Sequence, residues 1–305
     1  MKIALKTFAF VICSLALFFD LTSAANISVV SDFDNESSVE IVAGLQSYLA
    51  AKNIQTSLIQ YLIEKEDPAA LTQKINSRKN DIIFVIGRRS LDYAAKNFSA
   101  GTPVVFTVVA DYKVDGGKEI AGITLQVPND KKAVAIKEVL PNASRVGVIY
   151  SNSFQSKTEG LQQAIEKNGM KYVENTIDSE QDFSHAVENM FPNIDCFVVL
   201  PDDKIYFSTT VKLLLLQSAK MNIPIVGLSK YFTQMGALMS VECDYTELGK
   251  QSGRIVERIL AGESAGSIGV EAPRKFRISL NLKTAQKYGK KIPQEVIDKA
   301  KPVYQ

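Results

Sequence analysis

Tryptophan is absent from the 305 residues, and histidine occurs once, at position 185. A single imidazole leaves no cluster of nitrogen ligands, and no convergent set of metal ligands is visible by sequence. Neither charge sign is in excess: 35 Lys and Arg face 33 Asp and Glu, a formal net charge of +2. No basic stripe appears, which argues against nucleic acid as a partner. Cysteine is scarce, at positions 13, 196 and 243. Cys196 lies in an apolar strand pattern, where a free thiol behaves as a small hydrophobe. A disulfide to Cys243 stays open for an exported chain. Glycine-rich phosphate motifs are missing as well: neither G-x-G-x-x-G nor G-x-x-x-x-G-K-[ST] stands at a strand end. No cofactor and no metal are therefore expected.

Long apolar runs are confined to the start. Lys2 and Lys6 precede an apolar stretch over residues 8–19, and Thr22-Ser23-Ala24-Ala25 offers small residues for cleavage. That is the layout of a secretory signal peptide over residues 1–25. No other window approaches the ~18 apolar residues of a membrane span. The mature chain is expected to be periplasmic or extracellular.

What the chain has in abundance is one unit, repeated. An apolar run ends in a short polar turn, and a helical pattern follows. The clearest case is Val146-Gly147-Val148-Ile149-Tyr150, then Ser151-Asn152-Ser153, then a helix expected from Phe154 to about Asn168. Similar runs lie at 27–30, 56–62, 81–86, 103–109, 120–126, 171–176, 195–200 and 223–228. Near-continuous Val/Ile/Phe strands of this kind belong to parallel sheets buried on both faces. The helix expected over 206–221 carries Leu213-Leu214-Leu215-Leu216 and predicts burial on more than one side. The polar stretch at 111–119 contains Gly116-Gly117 and reads as a crossing segment. The fold class is therefore α/β, with two doubly wound parallel-sheet lobes joined by a hinge. The N-terminal lobe is expected to hold 26–118 and 229–261, and the C-terminal lobe 119–228 and 262–305.

In such sheets ligands bind outside the carboxyl ends of the strands. The residues there are Asp32, Phe33, Arg88, Ser90, Asp111, Tyr150, Asn152, Ser153, Asp203, Tyr206, Ser229 and Asp244, and they form the candidate ligand-binding set. Hydroxyls, amides and helix N-termini suit an anion, carboxylates suit an ammonium group, and Phe33, Tyr150, Tyr206 and Tyr231 could stack on a flat or apolar ligand. The turn at Gly87-Arg88-Arg89-Ser90 could hold an anion at a helix N-terminus, or be a structural loop. A catalytic alternative is Gly262-Glu263-Ser264-Ala265-Gly266, which matches the G-x-S-x-G elbow. The elbow needs a strand before the serine and its histidine downstream. Here a helix precedes it, and His185 comes earlier in the chain. No catalytic residue is assigned.

Several runs carry a resemblance. They are Gly101-Thr102-Pro103-Val104-Val105-Phe106-Thr107, Leu140-Pro141-Asn142-Ala143-Ser144-Arg145-Val146-Gly147-Val148-Ile149-Tyr150, Ile223-Pro224-Ile225-Val226-Gly227, Tyr245-Thr246-Glu247-Leu248-Gly249-Lys250-Gln251 and Leu280-Asn281-Leu282-Lys283-Thr284-Ala285. In order and spacing the chain resembles ABC-transporter substrate-binding proteins of the tryptophan/tyrosine-binding-like group. The resemblance implies a type I periplasmic-binding fold with a three-stranded hinge. It also implies that the polar residues after Tyr150, the acidic Asp203 and the segments 110–111 and 227–229 border the ligand. The chain departs from the family at Asp203-Lys204-Ile205 and Ser151-Asn152, within binding positions.

The function expected is capture of a small molecule between two lobes, with an amino acid or related compound the natural class, and delivery to an ABC permease by a monomer. A ligand sensor for a membrane receptor or kinase would share the same binding step. A secreted α/β enzyme would need a convergent catalytic set.

Overall fold

The computed structural model describes residues 24–98, 100–110, 112 and 118–305. The expected leader, apart from its last two residues, lies outside the described residues, as do Asp111 and Gly116-Gly117. No helix among the described residues is long and apolar enough to cross a membrane.

The strands are β1 (Ala25–Ser31), β2 (Thr56–Leu62), β3 (Ile82–Ile86), β4 (Val104–Val109), β5 (Ile120–Thr124), β6 (Arg145–Ser151), β7 (Lys171–Ile177), β8 (Cys196–Val198), β9 (Ile225–Gly227), β10 (Met239–Cys243), β11 (Val270–Glu271), β12 (Phe276–Asn281) and β13 (Val303–Tyr304). They form two sheets, ordered β11-β5-β4-β3-β1-β2 and β13-β12-β10-β9-β8-β6-β7. Every pairing is parallel except β10 with β12. All five residues of β3 are buried without exposure. Each such side chain contributes about 1.5–3 kcal/mol when withdrawn from water, which is why the continuous apolar runs become central strands.

The chain crosses between sheets at three places: after β5 at residues 125–128, between β10 and the helix Tyr245–Leu260, and between β11 and β12. This differs from the boundaries drawn on sequence. Residues 120–124 pair with β4 in the first sheet, so the first crossing comes after them rather than at 119. Residues 229–261 are split, β10 joining the second sheet while Tyr245–Leu260 packs in the core of the first. The short β11, assigned to the second lobe by sequence, pairs with β5. A strand's apolar run records burial but not its neighbour in the sheet, so these memberships are invisible to periodicity.

Local chemistry fixes the helix starts. Asn35 accepts from the Ser38 amide at 3.1 Å while the Ser38 hydroxyl accepts from the Asn35 amide at 3.1 Å, a reciprocal cap on Glu36–Ala51. Asp67 accepts from the Ala69 and Ala70 amides at 3.0 Å ahead of Pro68. The Asn281-Leu282-Lys283-Thr284-Ala285 run proves to be a structural tie: Asn281 caps the Thr284 amide at 2.8 Å and donates to the Thr233 carbonyl at 2.9 Å.

Two helical expectations need correction. After β6 the chain first forms a 3-10 turn over Asn152–Lys157, and the α-helix begins only at Glu159. The helix Ser208–Met221 buries one face, through Val211, Leu214 and Ser218, whereas Leu216 is 57% exposed. Consecutive helical residues are turned by about 100° from one another, so four leucines in a row cannot all face one layer. Cys196 and Cys243 are both free and buried, and burial, the largest cause, pushes both thiols up to about 12.

Asp195 secures the start of β6. It accepts from the amides of Ser144 and Arg145 at 2.9 and 2.8 Å, from the Ser144 hydroxyl at 2.8 Å and from the Arg145 guanidinium at 3.0 Å. Burial alone would raise its carboxyl, but these donors outweigh it and hold it far below the ordinary range. A lowered folded-state value gives stability that is complete above the unfolded value of about 3.9 and is lost as pH falls below it. Asp195→Ala is therefore expected to cost about 1–3 kcal/mol at pH 7. In urea titrations at decreasing pH, the gap to the parent protein should narrow below about pH 4.

Candidate functional site

A cavity of about 350 Å³ lies where the first two crossings meet the carboxyl ends of the second sheet. Ala110 and Tyr245 line it from the first lobe's elements. Pro201, Gly227 and Ser229 come from the ends of β8 and β9, and Val241, Glu242 and Cys243 from β10. Leu125, Gln126 and Val127 belong to the first crossing itself. The walls are chiefly apolar with a few polar groups, the usual make-up of a small-molecule site.

The backbone leading into it is strained. Val108 has φ 61°, a left-handed conformation that is an outlier for a β-branched residue. The β4–β5 register shifts between Phe106 and Val109 at the same point. Such positions cost ~1–3 kcal/mol and concentrate at ligand clamps. Ala110 follows two residues later.

Beside the cavity an ion cluster joins elements of both sheets. Arg277 on β12 donates through Nε to Glu242 at 3.0 Å and through Nη1 to Glu40 at 2.8 Å. Arg277 and Glu242 face each other in the β10–β12 register. Lys230 is 4% exposed and reaches Glu36 at 2.7 Å and Glu40 at 3.4 Å. Burial works against its charge, but the two carboxylates hold its ammonium above the ordinary value. Glu36 and Glu40 lie on the helix that follows β1. The second sheet is thus tied to the first lobe through Arg277, Glu242, Lys230 and Glu40, which are largely withdrawn from water, with Glu36 at the exposed edge.

The twelve sequence candidates fall into several groups. Ser229 lines the cavity, and Asp244 sits between the lining residues Cys243 and Tyr245 while capping the Glu247 amide at 3.1 Å. Asp203 is exposed, two residues beyond the lining Pro201. Its neighbour Asp202 is 2% exposed and accepts from the Ser151 amide at 2.7 Å. Ser153 meets the Ser151 hydroxyl at 3.0 Å, and Asn152 is exposed and donates to Asp178. Asp111 lies outside the described residues.

Asp32 and Ser90 are brought together for a structural purpose. Asp32 accepts from the Ser90 amide and hydroxyl at 2.7 and 2.6 Å and from the Arg89 amide at 2.9 Å. The anion that the helix start at Gly87-Arg88-Arg89-Ser90 could hold is this carboxylate. Gly87, at φ 107°, permits the approach, since a Cβ there would lie 2.4 Å from Asp32 Oδ2. Arg88 points elsewhere and pairs with Asp92 at 3.1 Å.

The aromatic candidates also differ from expectation. Tyr150 is 1% exposed, its ring in the second lobe's core and its hydroxyl donating to Glu174. Tyr206 stacks edge-on against Phe183 and donates to the Ile149 carbonyl at 2.7 Å. Phe33 is half-buried against the first lobe's core. Strand alternation places Tyr150 inward, which a position at a strand end does not reveal.

Sequence reasoning missed Lys132, Glu242 and Arg277. Lys131-Lys132 reads as a solvated helix face. Glu242 did carry a signal, a carboxylate inside the otherwise buried β10. The elbow motif dissolves: the Ser264 hydroxyl donates to Glu119 at 2.8 Å, and His185 is exposed on the helix Phe183–Met190. Among the described residues no group of three metal-ligating side chains converges.

The two-lobed parallel-sheet architecture with three crossings is that of type I periplasmic-binding proteins. The ABC transporter substrate binding protein family matches residues 26–304, and the chain belongs to that family. A tyrosine-binding protein of Clostridioides difficile (strain R20291) is 27% identical over 226 residues, 70% of this chain and 65% of that protein, so the match spans just under two thirds of the relative's length. A Rickettsia prowazekii protein is 23% identical over 92% of this chain and 90% of its own. Among solved structures, the ligand-free, open form of a Clostridium difficile substrate binding protein with adhesive properties has TM-score 0.76 at 21% identity, covering 92% of this chain and 99% of that one. A Streptococcus pneumoniae ABC domain in complex with L-Trp has TM-score 0.61 at 21% identity, covering 91% and 99%.

Proposed function

We propose that this substrate-binding protein captures an amino acid or a closely related small molecule in the cavity at the crossings and presents it to an ABC permease from the periplasmic or extracellular side. The observation that carries the reading is the cavity's position. Its walls come from both lobes, so a bound ligand would touch the two together. Closure is favoured when ligand contacts form in full only in the closed arrangement. Reversing a 1:99 population takes about 5.5 kcal/mol of differential affinity, within reach of a few charge-assisted hydrogen bonds and apolar contacts. The tyrosine-binding relative supports the amino-acid class.

A thermal-shift screen of residues 26–305 against amino acids, nucleosides, sugars, oligopeptides and vitamins tests the reading, because a ligand bound only by the folded state must raise Tm. A clear shift with amino acids is expected, and a shift confined to sugars or nucleosides would reject the ligand class. Ser264→Ala and His185→Ala should leave the affinity for the best amino acid unchanged in titration calorimetry. A large loss in either variant would revive a catalytic reading.

A further inference from the structure

Among the described residues two charged side chains line the cavity, Lys132 and Glu242. Their situations differ. Glu242 is satisfied: one carboxylate oxygen accepts from the Arg277 guanidinium at 3.0 Å and the other from the Lys230 amide at 3.1 Å. The Lys132 amide donates to the Pro128 carbonyl at 3.2 Å, but its ammonium has neither a hydrogen bond nor an ion pair among the described residues. It stands on the first turn of Asn129–Val139, directly after the first crossing, and is half-buried. Burial draws its ammonium below the ordinary lysine value, with the Cys243 thiol the other group close enough to act on it.

A cation in a largely apolar cavity, with the one carboxylate among the described lining residues already engaged by Arg277, is unfavourable in the empty protein. It becomes favourable once an anion enters, because a charge-assisted hydrogen bond is stronger away from bulk water. The remaining lining, including Val198, Val226, Val241 and Tyr245, suits an apolar body. We propose that Lys132 is the anion-recognition residue of this cavity and receives the carboxylate of a ligand whose remainder is mainly apolar. This rests on the capture reading above and gives it a residue and a polarity. Glu242, already held by Arg277 and by the Lys230 amide, is not the anchor.

The test uses matched acid and amine probes: L-tyrosine with tyramine, and L-tryptophan with tryptamine. Titration calorimetry is run on the mature protein, Lys132→Met and Lys132→Arg. The mature protein is expected to favour the amino acid over its decarboxylated partner by about 10-fold or more. Lys132→Met should bind both members of a pair within about 3-fold of each other, and Lys132→Arg should keep most of the preference. Should Lys132→Met fold poorly, acetylation of Lys132 in the unaltered protein, read by mass spectrometry, replaces it: the amino acid should protect Lys132 and the amine should not. An undiminished preference in Lys132→Met, or equal protection by acid and amine, overturns the assignment. Tight binding of a ligand without an acidic group would overturn Lys132 while leaving capture intact. Binding of no compound class would defeat the capture reading itself and this assignment with it.

Discussion

Arg277→Ala is expected to cost about 3–5 kcal/mol, the usual penalty for removing one partner of a buried charge pair. At about 2–4 °C per kcal/mol for a chain of this size, Tm should fall by roughly 6–20 °C. The cause is what the substitution leaves behind. Glu242 is 2% exposed on its side chain and loses its guanidinium, and Glu40, 21% exposed, loses its contact at 2.8 Å. The Arg277 guanidinium also lies 5.2 Å from the centre of the Tyr245 ring, so cation–π packing beside the cavity is lost. Burial already raises the Glu242 carboxyl, with Arg277 and Lys230 pulling it back. A raised folded-state value means that the native protein takes up protons more readily than the unfolded chain. The deficit of Arg277→Ala should accordingly shrink as pH falls toward the carboxylate range and reach its full size above it. Arg277→Met combined with Glu242→Gln removes both charges and should recover most of the loss in urea titration. If the single variant melts within about 1 °C of the parent protein, the cluster does not hold the hinge.

Gly249→Ala should also be damaging, for a steric reason. The helices Glu36–Ala51 and Tyr245–Leu260 cross with their backbones almost touching. A Cβ on Gly249 would stand 2.0 Å from the Ile41 carbonyl oxygen, and one on Gly44 would stand 2.1 Å from the Thr246 carbonyl oxygen. Neither obstacle is a flexible side-chain end, so the helices must move apart. Overpacking of this kind costs about 1–3 kcal/mol and occasionally more. The better helix propensity of alanine returns only about 1 kcal/mol. The displaced helix begins at Tyr245, which lines the cavity. Gly249→Ala is therefore expected to lower both Tm and ligand affinity, whereas Gly101→Ala, where a Cβ would meet nothing within 4 Å, should change neither. Unaltered melting of Gly249→Ala would show that the crossing is looser than the structure has it.

These two predictions mark how far the sequence could be read. Gly249 belongs to a run that carried the family resemblance, yet nothing in Leu248-Gly249-Lys250 says that a second helix backbone lies against it. Arg277 and Glu242 are 35 positions apart, and only the antiparallel register of β10 and β12 makes them partners. Asp32 and Ser90 stand at the ends of separate strand–helix units, where polar residues suggest a ligand. Their hydrogen bonds show a carboxylate spent on capping a neighbouring helix. The same residue types serve both purposes, and only the distance to the nearest donor separates them.

By itself the sequence determined the repeated strand–helix unit, the parallel character of the strands, the two-lobed class and the kinship with substrate-binding proteins. Those properties follow from local chemistry, since runs of Val, Ile and Phe withdraw from water on both faces and Asn, Asp and Pro fix the helix starts beside them. The tertiary structure alone decided where the chain crosses between sheets, that Tyr150 faces the core, that Asp32 is already occupied, and that Lys132 lines a cavity whose carboxylate, Glu242, is held by Arg277. These depend on which distant segments become neighbours. That choice comes from packing and charge balance summed over the whole molecule, and no short window of residues contains it.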